Sequence, residues 1–203
     1  MPVCVIPAAG SSRRMGRPKA LLPWRGSTVV ETLTRTLLEG GVRHIWLVRH
    51  PEDTELRQFC AVRPQLTAVA NPRPTEGMLS SVLAGVEAWL GDEGPDLSPL
   101  LICPVDHPQL EPATVTRLLD RHAASPRHMI VPTHEGRRGH PLLIPPSLIG
   151  ELQGLDPSRS LKQLLQRYPE AVFELEVADA GVVGNLNTPE DYARALGRRL
   201  SER

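Results

Sequence analysis

The sequence lacks an excess of charge of either sign, because 23 Lys and Arg residues balance 23 Asp and Glu residues. A protein that binds nucleic acid without regard to sequence neutralises backbone phosphates and normally carries a basic excess. We therefore expect no nucleic-acid partner. Aromatic residues are also scarce, at 3% of the chain, so the sequence shows no set of aromatic anchors typical of a protein interface.

Long hydrophobic runs are missing as well. No stretch approaches the roughly 18 consecutive apolar residues that indicate a membrane-spanning helix, and residues 1–6 show no basic region followed by a long apolar run. The cysteines Cys4, Cys60 and Cys103 are odd in number and far apart, which favours reduced thiols. No Cys-x-x-Cys pair indicates a zinc site. We expect no membrane contact and a cytoplasmic location.

The sequence does contain enough apolar material for a folded core. Hydrophobic residues account for 40% and charged residues for 23% of 203 residues, which is typical of a globular protein and not of a disordered chain. A chain of this length fits one domain. No linker-like or repetitive segment divides it, so we expect a single domain over residues 1–203.

Short apolar runs alternate with helix-like patterns along the chain. Runs rich in β-branched residues predict strands at residues 3–6, 44–48, 66–70, 100–105, 129–131 and 172–177. Apolar stripes and capping residues predict helices at residues 28–38, 79–90, 112–123, 160–167 and 188–200. Thr28 and Glu31 have the spacing of a capping box for the first of these helices. Gly91 is the expected end of the second.

This alternation predicts an α/β fold of the Rossmann-like type. In such a three-layer architecture, helices cover both faces of a mostly parallel sheet. Ligands bind open sheets of this kind beyond the carboxyl ends of the strands. Functional residues are therefore expected in the segments that follow the strands.

The segment after the first predicted strand has the composition of a phosphate-binding loop. Small residues allow backbone N–H groups to approach an anion, and hydroxyl and cationic side chains add donors. Its spacing fits neither the P-loop nor the Gly-x-Gly-x-x-Gly pattern, and a solvated basic surface loop is the alternative. The candidate nucleotide-binding residues are Ala8, Ala9, Gly10, Ser11, Ser12 and Arg13, and the candidate catalytic cations are Arg14 and Lys19.

Asp106 directly follows the apolar run at residues 100–105. Its carboxylate is therefore expected at the carboxyl end of a central strand, where ligands bind. Mg²⁺ is usually held by one or two carboxylates together with substrate phosphates and water, so one aspartate suffices as its protein anchor. The alternative is an aspartate that caps the next helix or forms a turn with Pro108.

Five segments in a fixed order resemble the motifs of one known family. They read AAGSSRRMGRPKALLPWRG at residues 8–26, GMLSSVLAGVE at 77–87, PVDHPQL at 104–110, GHPLLI at 139–144 and NLNTPEDY at 185–192. The chain resembles the MobA-like nucleotidyltransferases and, within that family, is most similar to the molybdenum cofactor cytidylyltransferases. The resemblance extends along the whole chain and implies a fold of the nucleotide-diphospho-sugar transferase type.

The resemblance implies an enzyme that transfers CMP from CTP to the phosphate of molybdopterin, with Mg²⁺ as cofactor and pyrophosphate as the second product. Family analogy also suggests a molybdenum hydroxylase as a partner. Three alternatives stay open: a guanylyltransferase that uses GTP, a same-fold transferase for another phosphorylated acceptor, and a cofactor carrier without catalytic activity.

The resemblance also implies site residues beyond the first loop. These are Gly77, Ser80 and Ser81 for the nucleotide, Asp106, Asn185 and Asn187 for the metal, and His140 and Arg159 for the acceptor. The cytidylyltransferases usually have Asp-x-Asp at this position. This chain has Asn-x-Asn there, and so do guanylyltransferases. An asparagine carbonyl coordinates Mg²⁺ without contributing charge. Both the asparagines and the serines are alternatively caps of the helices that follow them.

Overall fold

The computed structural model describes residues 1–10, 18–93 and 98–197. Within these ranges no helix is both long and apolar enough to cross a membrane. The strands in them are β1 (Val3–Pro7), β2 (Pro23–Trp24), β3 (Ser27–Thr28), β4 (His44–Arg49), β5 (Leu66–Ala70), β6 (Leu100–Ile102), β7 (Met129–His134), β8 (Arg137–Arg138), β9 (Leu142–Ile144) and β10 (Val172–Glu176). The α-helices are α1 (Val29–Glu39), α2 (Thr54–Ala61), α3 (Met78–Glu93), α4 (Pro112–Ala124), α5 (Ile149–Gln153), α6 (Lys162–Arg167) and α7 (Pro189–Ala195).

An eight-stranded sheet forms the middle layer, in the order β10-β7-β9-β6-β1-β4-β5, with β8 paired to β7. β5, β4, β1 and β6 pair in parallel, and so do β10 and β7. β9 lies antiparallel between β6 and β7. The register of β1 and β4 aligns Val3 with His44 and Pro7 with Val48. The carboxyl ends of these strands therefore meet at one edge of the sheet, where ligands bind in such folds.

Helices cover both faces of this sheet, because alternate strand residues point to opposite sides. Cys4 and Ile6 of β1 pack with residues of α1, α2 and α4, whereas Val3 and Val5 pack on the other face with α3, α5 and α6. All four of these β1 side chains are at most 2% exposed. The predicted three-layer, mostly parallel α/β fold is confirmed.

Capping side chains set where the first and last helices begin. Thr28 Oγ1 accepts a hydrogen bond from Glu31 N at 3.3 Å, but the Glu31 carboxylate accepts from Ser27 Oγ at 2.7 Å. The predicted capping box is therefore only half formed, because a neighbouring hydroxyl binds the glutamate. A complete capping box stands at α7, between Thr188 and Asp191.

Short elements, two strand ends and two helix ends differ from the sequence-based expectations. β6 ends at Ile102 instead of residue 105, and β7 continues to His134 instead of residue 131. The patterns do not predict α5, β8, β9 or the β2–β3 hairpin, because these elements contain too few residues to display a period. They also do not predict α2, in which only Leu56 and Cys60 are buried. α3 continues past Gly91 to Glu93, since a single glycine weakens a helix without ending it. α7 ends at Ala195, two residues before Gly197, which adopts a φ of 70°. The expected end at Leu200 lies outside the described residues.

A glycine allows α3 to pack closely on the central strands. A Cβ at Gly85 would lie 2.7 Å from Val5 Cγ1 and 2.9 Å from Val48 Cγ2, so a larger residue would push the helix off β1 and β4. The amino-terminal turn of α3 consequently lies at the carboxyl edge of the sheet. Ser81, one turn before Gly85, is held near the ends of β1 and β4.

Candidate active site

A cavity of about 880 Å³ opens at the carboxyl edge of the sheet. Segments that follow β1, β4 and β6 bound it, as expected for a ligand site in a parallel α/β sheet. The first turns of α2 and α3 also contribute. The lining includes Ala8, Ala9, Gly10, Lys19, His50, Glu52, Asp53, Gly77, Met78, Ser81, Asp106 and Asn187.

Lys19 joins two distant segments of the chain within this cavity. Its Nζ donates to Asp106 Oδ2 at 3.3 Å and to Asn187 Oδ1 at 3.1 Å. The side chains of Lys19 and Asp106 keep 16% and 17% of their surface exposed, so a ligand in the cavity can reach both. Lys19, Asp106 and Asn187 form what we call the charged cluster.

Backbone contacts hold the two oxygen-bearing residues of the cluster in place. Leu186 N donates to Asp106 O at 2.9 Å, which fastens the segment before α7 beside the end of β6. Asn187 N donates to Asp191 Oδ2 at 3.2 Å. Because Thr188 is the N-cap of α7, the side chain of Asn187 is not needed as a cap and faces the cavity instead.

The two asparagines of the Asn-x-Asn segment have different surroundings. Asn187 is half-buried and accepts from Lys19. Asn185 is exposed and is absent from the described lining of the cavity. Leu186 between them is 1% exposed and anchors the segment in the core. The structure thus brings Asn187, and not Asn185, to the charged cluster.

The charged cluster has oxygen donors suited to a hard cation. One carboxylate oxygen and one amide oxygen converge on a single cationic group, the ammonium of Lys19. Among the residues that the structure describes, no group of three or more His, Cys, Asp and Glu side chains could hold a metal ion. Carboxylate and amide oxygens are ligands that Mg²⁺ accepts, so Asp106 and Asn187 are the residues here that would hold such an ion together with phosphate and water.

The start of the first loop also lines the cavity. Ala8 N donates to Val48 O at 2.7 Å, so the chain leaves β1 while still bonded to β4. Ala9 and Gly10 follow it along the cavity wall. A Cβ at Gly10 would meet no atom within 4 Å, which leaves open space beside the backbone. Four other predicted loop residues lie outside the described residues, namely Ser11, Ser12, Arg13 and Arg14.

The two serines at the start of α3 differ in what they face. Ser81 lines the cavity together with Gly77. Ser80 is 4% exposed, and its hydroxyl lies 2.9 Å from Arg73 O and 2.8 Å from Gly77 O. Ser80 therefore bonds the backbone of its own loop. The structure separates two neighbours that the sequence alone does not distinguish.

His107 lies directly behind Asp106, although the sequence patterns give it no role. Its side chain is 4% exposed, and its Nε2 lies 3.7 Å from Asp106 Oδ1. Nδ1 lies 3.2 Å from Gly181 O, an acceptor that requires the proton to be on Nδ1. Burial lowers the pKa of His107, while the charge of Asp106 acts in the opposite direction. The position of His107 directly after Asp106, within the segment PVDHPQL, is the sequence signal for this contact.

The two residues predicted to bind the acceptor are absent from the described lining of the cavity. The His140 ring packs against the His107 ring, with centroids 5.2 Å apart, and burial lowers the pKa of His140 to about 4. Arg159 is exposed, with its Nε 3.7 Å from Asp156 Oδ2. Contact of His140 and Arg159 with an acceptor therefore stays a prediction from the motifs.

Comparison with known families identifies the chain's relatives. The sequence matches the model of the MobA-like NTP transferase domain over residues 4–172. The chain belongs to the MobA-like NTP transferase family. The resemblance found in the motifs is thus confirmed, and the matched residues include the first loop, α3 and Asp106.

Relatives of this MobA-like chain have different activities in their names. The molybdenum cofactor cytidylyltransferase of Escherichia coli (strain K12) is 29% identical over 196 residues, covering 96% of this chain and 95% of that protein. The molybdenum cofactor guanylyltransferase of Xanthomonas euvesicatoria pv. vesicatoria (strain 85-10) is 29% identical, covering 95% and 93%. The nicotine blue oxidoreductase of Paenarthrobacter nicotinovorans is 31% identical over 209 residues, covering 95% of each.

The same architecture occurs in a solved structure. Rv0371c from Mycobacterium tuberculosis H37Rv superimposes on this MobA-like chain with a TM-score of 0.80 and 26% sequence identity. The match covers 98% of this chain and 99% of that chain. The sheet and its covering helices are therefore features of a shared fold, while the reaction depends on the residues in the cavity of each protein.

Proposed function

We propose that this protein is a Mg²⁺-dependent nucleotidyltransferase that transfers CMP from CTP to the phosphate of a molybdopterin-type acceptor. The observation that carries the proposal is the charged cluster, in which Lys19, Asp106 and Asn187 meet within one cavity beside the first loop. Phosphoryl transfer needs this combination, because oxygen ligands hold a metal ion and a cation neutralises phosphate oxygens.

The acceptor and the base come from the relatives and the motifs. Two relatives that align over nearly their whole length are named for nucleotidyl transfer to the molybdenum cofactor. CTP is the proposed nucleotide because the motifs as a set are most similar to those of cytidylyltransferases. One feature favours GTP instead: Asn187 contributes a neutral amide where cytidylyltransferases usually have an aspartate. GTP is therefore the second candidate.

In the proposed reaction, an anionic phosphate oxygen of the acceptor attacks the α-phosphorus of CTP. A new P–O bond joins the acceptor phosphate to CMP, and the bond from the α-phosphorus to the oxygen of the β-phosphate breaks. Pyrophosphate leaves with the electron pair of that bond. The nucleophile is already ionised at neutral pH, so the chain needs no strong general base. Its contribution is to position the reactants and to neutralise charge.

The residues of the charged cluster would divide these tasks. Asp106 and Asn187 would hold the metal ion by their side-chain oxygens, and the ion would neutralise charge on the triphosphate. The ammonium of Lys19, a compact cation, would bind phosphate oxygens. Backbone N–H groups of the segment that follows Ala8 would add hydrogen bonds to the phosphates.

Pyrophosphate release tests the proposal. The purified protein is incubated with Mg²⁺, molybdenum-loaded molybdopterin and CTP, GTP, ATP or UTP in separate reactions. Release with CTP alone supports the cytidylyltransferase, and release with GTP alone supports the second candidate. A folded protein that releases no pyrophosphate with any nucleotide contradicts the proposed transfer. A cofactor carrier and a transferase for another phosphorylated acceptor would then be tested.

A further inference from the structure

A buried asparagine outside the charged cluster bonds to the opposite wall of the cavity. Asn71 directly follows β5 and is 1% exposed. Its Nδ2 donates to Ser80 Oγ and to Ser81 Oγ, both at 2.9 Å. Its Oδ1 accepts from Arg73 N at 2.9 Å, and its backbone N donates to Arg49 O at 2.9 Å. One side chain thus connects the end of β5 to the first turn of α3.

The partners of Asn71 define which way its amide points. Arg73 N can only donate, so the Asn71 atom that faces it has to be the acceptor Oδ1. The NH₂ group then faces the two serines, and each hydroxyl oxygen accepts one of its hydrogens. A flipped amide would set one donor against another and leave Arg73 N unpaired.

The hydroxyl hydrogens of the two serines point to different places. Because each hydroxyl oxygen accepts from Asn71, its own hydrogen needs another acceptor. Ser80 has two such acceptors close by, Arg73 O and Gly77 O. For Ser81, the contacts among residues 1–10, 18–93 and 98–197 include no protein acceptor, and this side chain lines the cavity. The Ser81 hydrogen is therefore available to a ligand in the cavity.

The position of Ser81 indicates which part of a nucleotide it meets. The charged cluster lies beyond the end of β6, whereas Ser81 lies over β1 and β4, on the other side of β1 in the sheet order. The ammonium of the cluster suits the triphosphate. A neutral donor across the cavity suits an acceptor atom of the nucleoside, in the sugar or the base.

We propose that Asn71 is a positioning residue for the nucleotide. It fixes Ser81 as a hydrogen-bond donor, and Ser81 Oγ donates to the nucleoside part of the bound nucleotide. This inference rests on the proposed function, since it names a contact of the same site. The Asn71→Asp change replaces the amide by an isosteric carboxylate and would reverse the direction of the hydrogen bonds to the two serines. A carboxylate accepts from both serine hydroxyls, so the Ser81 hydrogen would turn inward and its lone pairs would face the nucleotide.

The test measures nucleotide affinity and not activity alone. The dissociation constants of CTP and GTP are determined by calorimetry with Mg²⁺ for the wild type, Ser81→Ala, Asn71→Asp and the double variant. Each single change is expected to weaken binding of the preferred nucleotide roughly 3- to 10-fold, the value of one hydrogen bond. The double variant is expected to stay within about twofold of the weaker single variant, because Asn71 acts through Ser81.

Steady-state kinetics adds a measurement that a purely structural role would not change in the same way. The KM of the nucleotide is expected to rise by the same factor while kcat stays within about threefold, since the contact lies away from the reacting phosphorus. Thr34→Val is the matched control. Thr34 is 3% exposed and donates to Glu31 O at 3.1 Å within α1. Loss of this hydrogen bond is expected to lower the melting temperature of the protein without changing the dissociation constant of the nucleotide.

The outcomes separate this inference from the proposed function. Unchanged nucleotide binding in Ser81→Ala overturns the inference, whether or not Asn71→Asp folds. Fully additive losses in the double variant overturn the positioning role of Asn71, because they show two independent effects. A folded wild-type protein that binds neither nucleotide overturns the proposed function and, with it, the contact.

Discussion

The cavity wall at the end of β6 carries charged side chains, whereas the wall formed by α3 and the end of β5 carries neutral ones. On the charged wall, Lys19 and Asp106 keep 16% and 17% of their side-chain surface exposed. On the neutral wall, Ser81 lines the cavity and is 3% exposed, and Asn71 and Ser80 behind it are 1% and 4% exposed. The two walls therefore face the same ligand with very different access to water.

This difference in burial indicates how each wall is used. The partly exposed ammonium of Lys19 can leave its oxygens when phosphates enter, because the water that reaches it screens the charges that separate. A buried amide and its two hydroxyls cannot rearrange without leaving a donor unpaired, which is costly. The charged wall is suited to exchanging partners during a reaction, and the neutral wall is suited to holding a fixed shape.

The largest effect is expected when the charged wall loses its carboxylate. Asp106→Ala should lower turnover about 100-fold or more, the usual result of removing one preorganised electrostatic group. Asp106→Asn is the matched variant, which keeps the shape and removes the charge, and it should recover little activity. Pyrophosphate release at saturating nucleotide measures both. Turnover near that of the wild type in a folded Asp106→Ala protein would contradict the proposed site.

Removal of the ammonium tests whether Lys19 and a metal ion compete. Lys19→Ala should also lower turnover about 100-fold, because the phosphates lose a compact cation. In the protein without nucleotide, however, Lys19→Met should bind Mn²⁺ more tightly, since the ammonium no longer occupies the oxygens of Asp106 and Asn187. Electron paramagnetic resonance measures free Mn²⁺ in this titration. Equal Mn²⁺ affinity of variant and wild type would show that the two cations do not share these oxygens.

An intermediate effect is expected from charging one asparagine at a time. Asn187→Asp gives the metal a second carboxylate and should lower the Mg²⁺ concentration for half-maximal activity about 10-fold. Asn185→Asp should change it less than about twofold, because that side chain is exposed and screened by water. Magnesium titrations of pyrophosphate release compare the two variants. A larger effect at Asn185 would reverse the assignment made from the structure.

The smallest predicted effect is on stability and concerns the pKa of the buried imidazoles behind the charged wall, those of His107 and His140. Burial lowers the pKa of His140 from 6.5 to about 4, so the folded protein favours the neutral ring. Below about pH 6.5 the His140 side chain of the unfolded chain binds a proton that the folded protein does not bind. The free energy of unfolding is therefore undiminished by His140 above that pH and falls as the pH drops towards about 4. Near pH 4.5 the loss should be roughly 2 kcal/mol.

Urea unfolding at neutral pH and at about pH 4.5 checks this linkage. His140→Gln removes the titrating group, so its free energy of unfolding should fall less between the two pH values than that of the wild type. A fall of the same size in both proteins would show that His140 is not responsible. His107, whose pKa burial also lowers, acts in the same direction and remains in both proteins.

Much of the fold could be predicted along the chain, and some of it could not. β1, β6 and α3 were predictable, because β-branched runs and the spacing of Leu79, Val82 and Val86 are local patterns. The antiparallel strand β9 was not, since three residues show no period and their direction depends on the neighbours β6 and β7. The half-formed capping box at Thr28 shows the same limit, because Ser27 competes for Glu31.

The candidate site was predicted one residue at a time rather than as a set of contacts. Lys19, Asp106 and Asn187 each follow from a motif or from a position after a strand. Their meeting does not, because Lys19 is separated by 87 positions from Asp106 and by 168 from Asn187. His107 stands within the segment PVDHPQL without an assigned role, and Asn71 stands outside the matched segments. Their contacts with Asp106 and Ser81 appear only when strand ends and loops come together.

By itself, the sequence determined the alternation of strands and helices, the small-residue loop after β1 and the aspartate after β6. Each of these depends on residues within one element, so its pattern is visible along the chain. Only the tertiary structure decided that Asn187 and Ser81 face the cavity while their neighbours Asn185 and Ser80 do not. The physical reason is that the direction of a loop or helix-end side chain depends on which distant segments pack against its backbone and offer it partners.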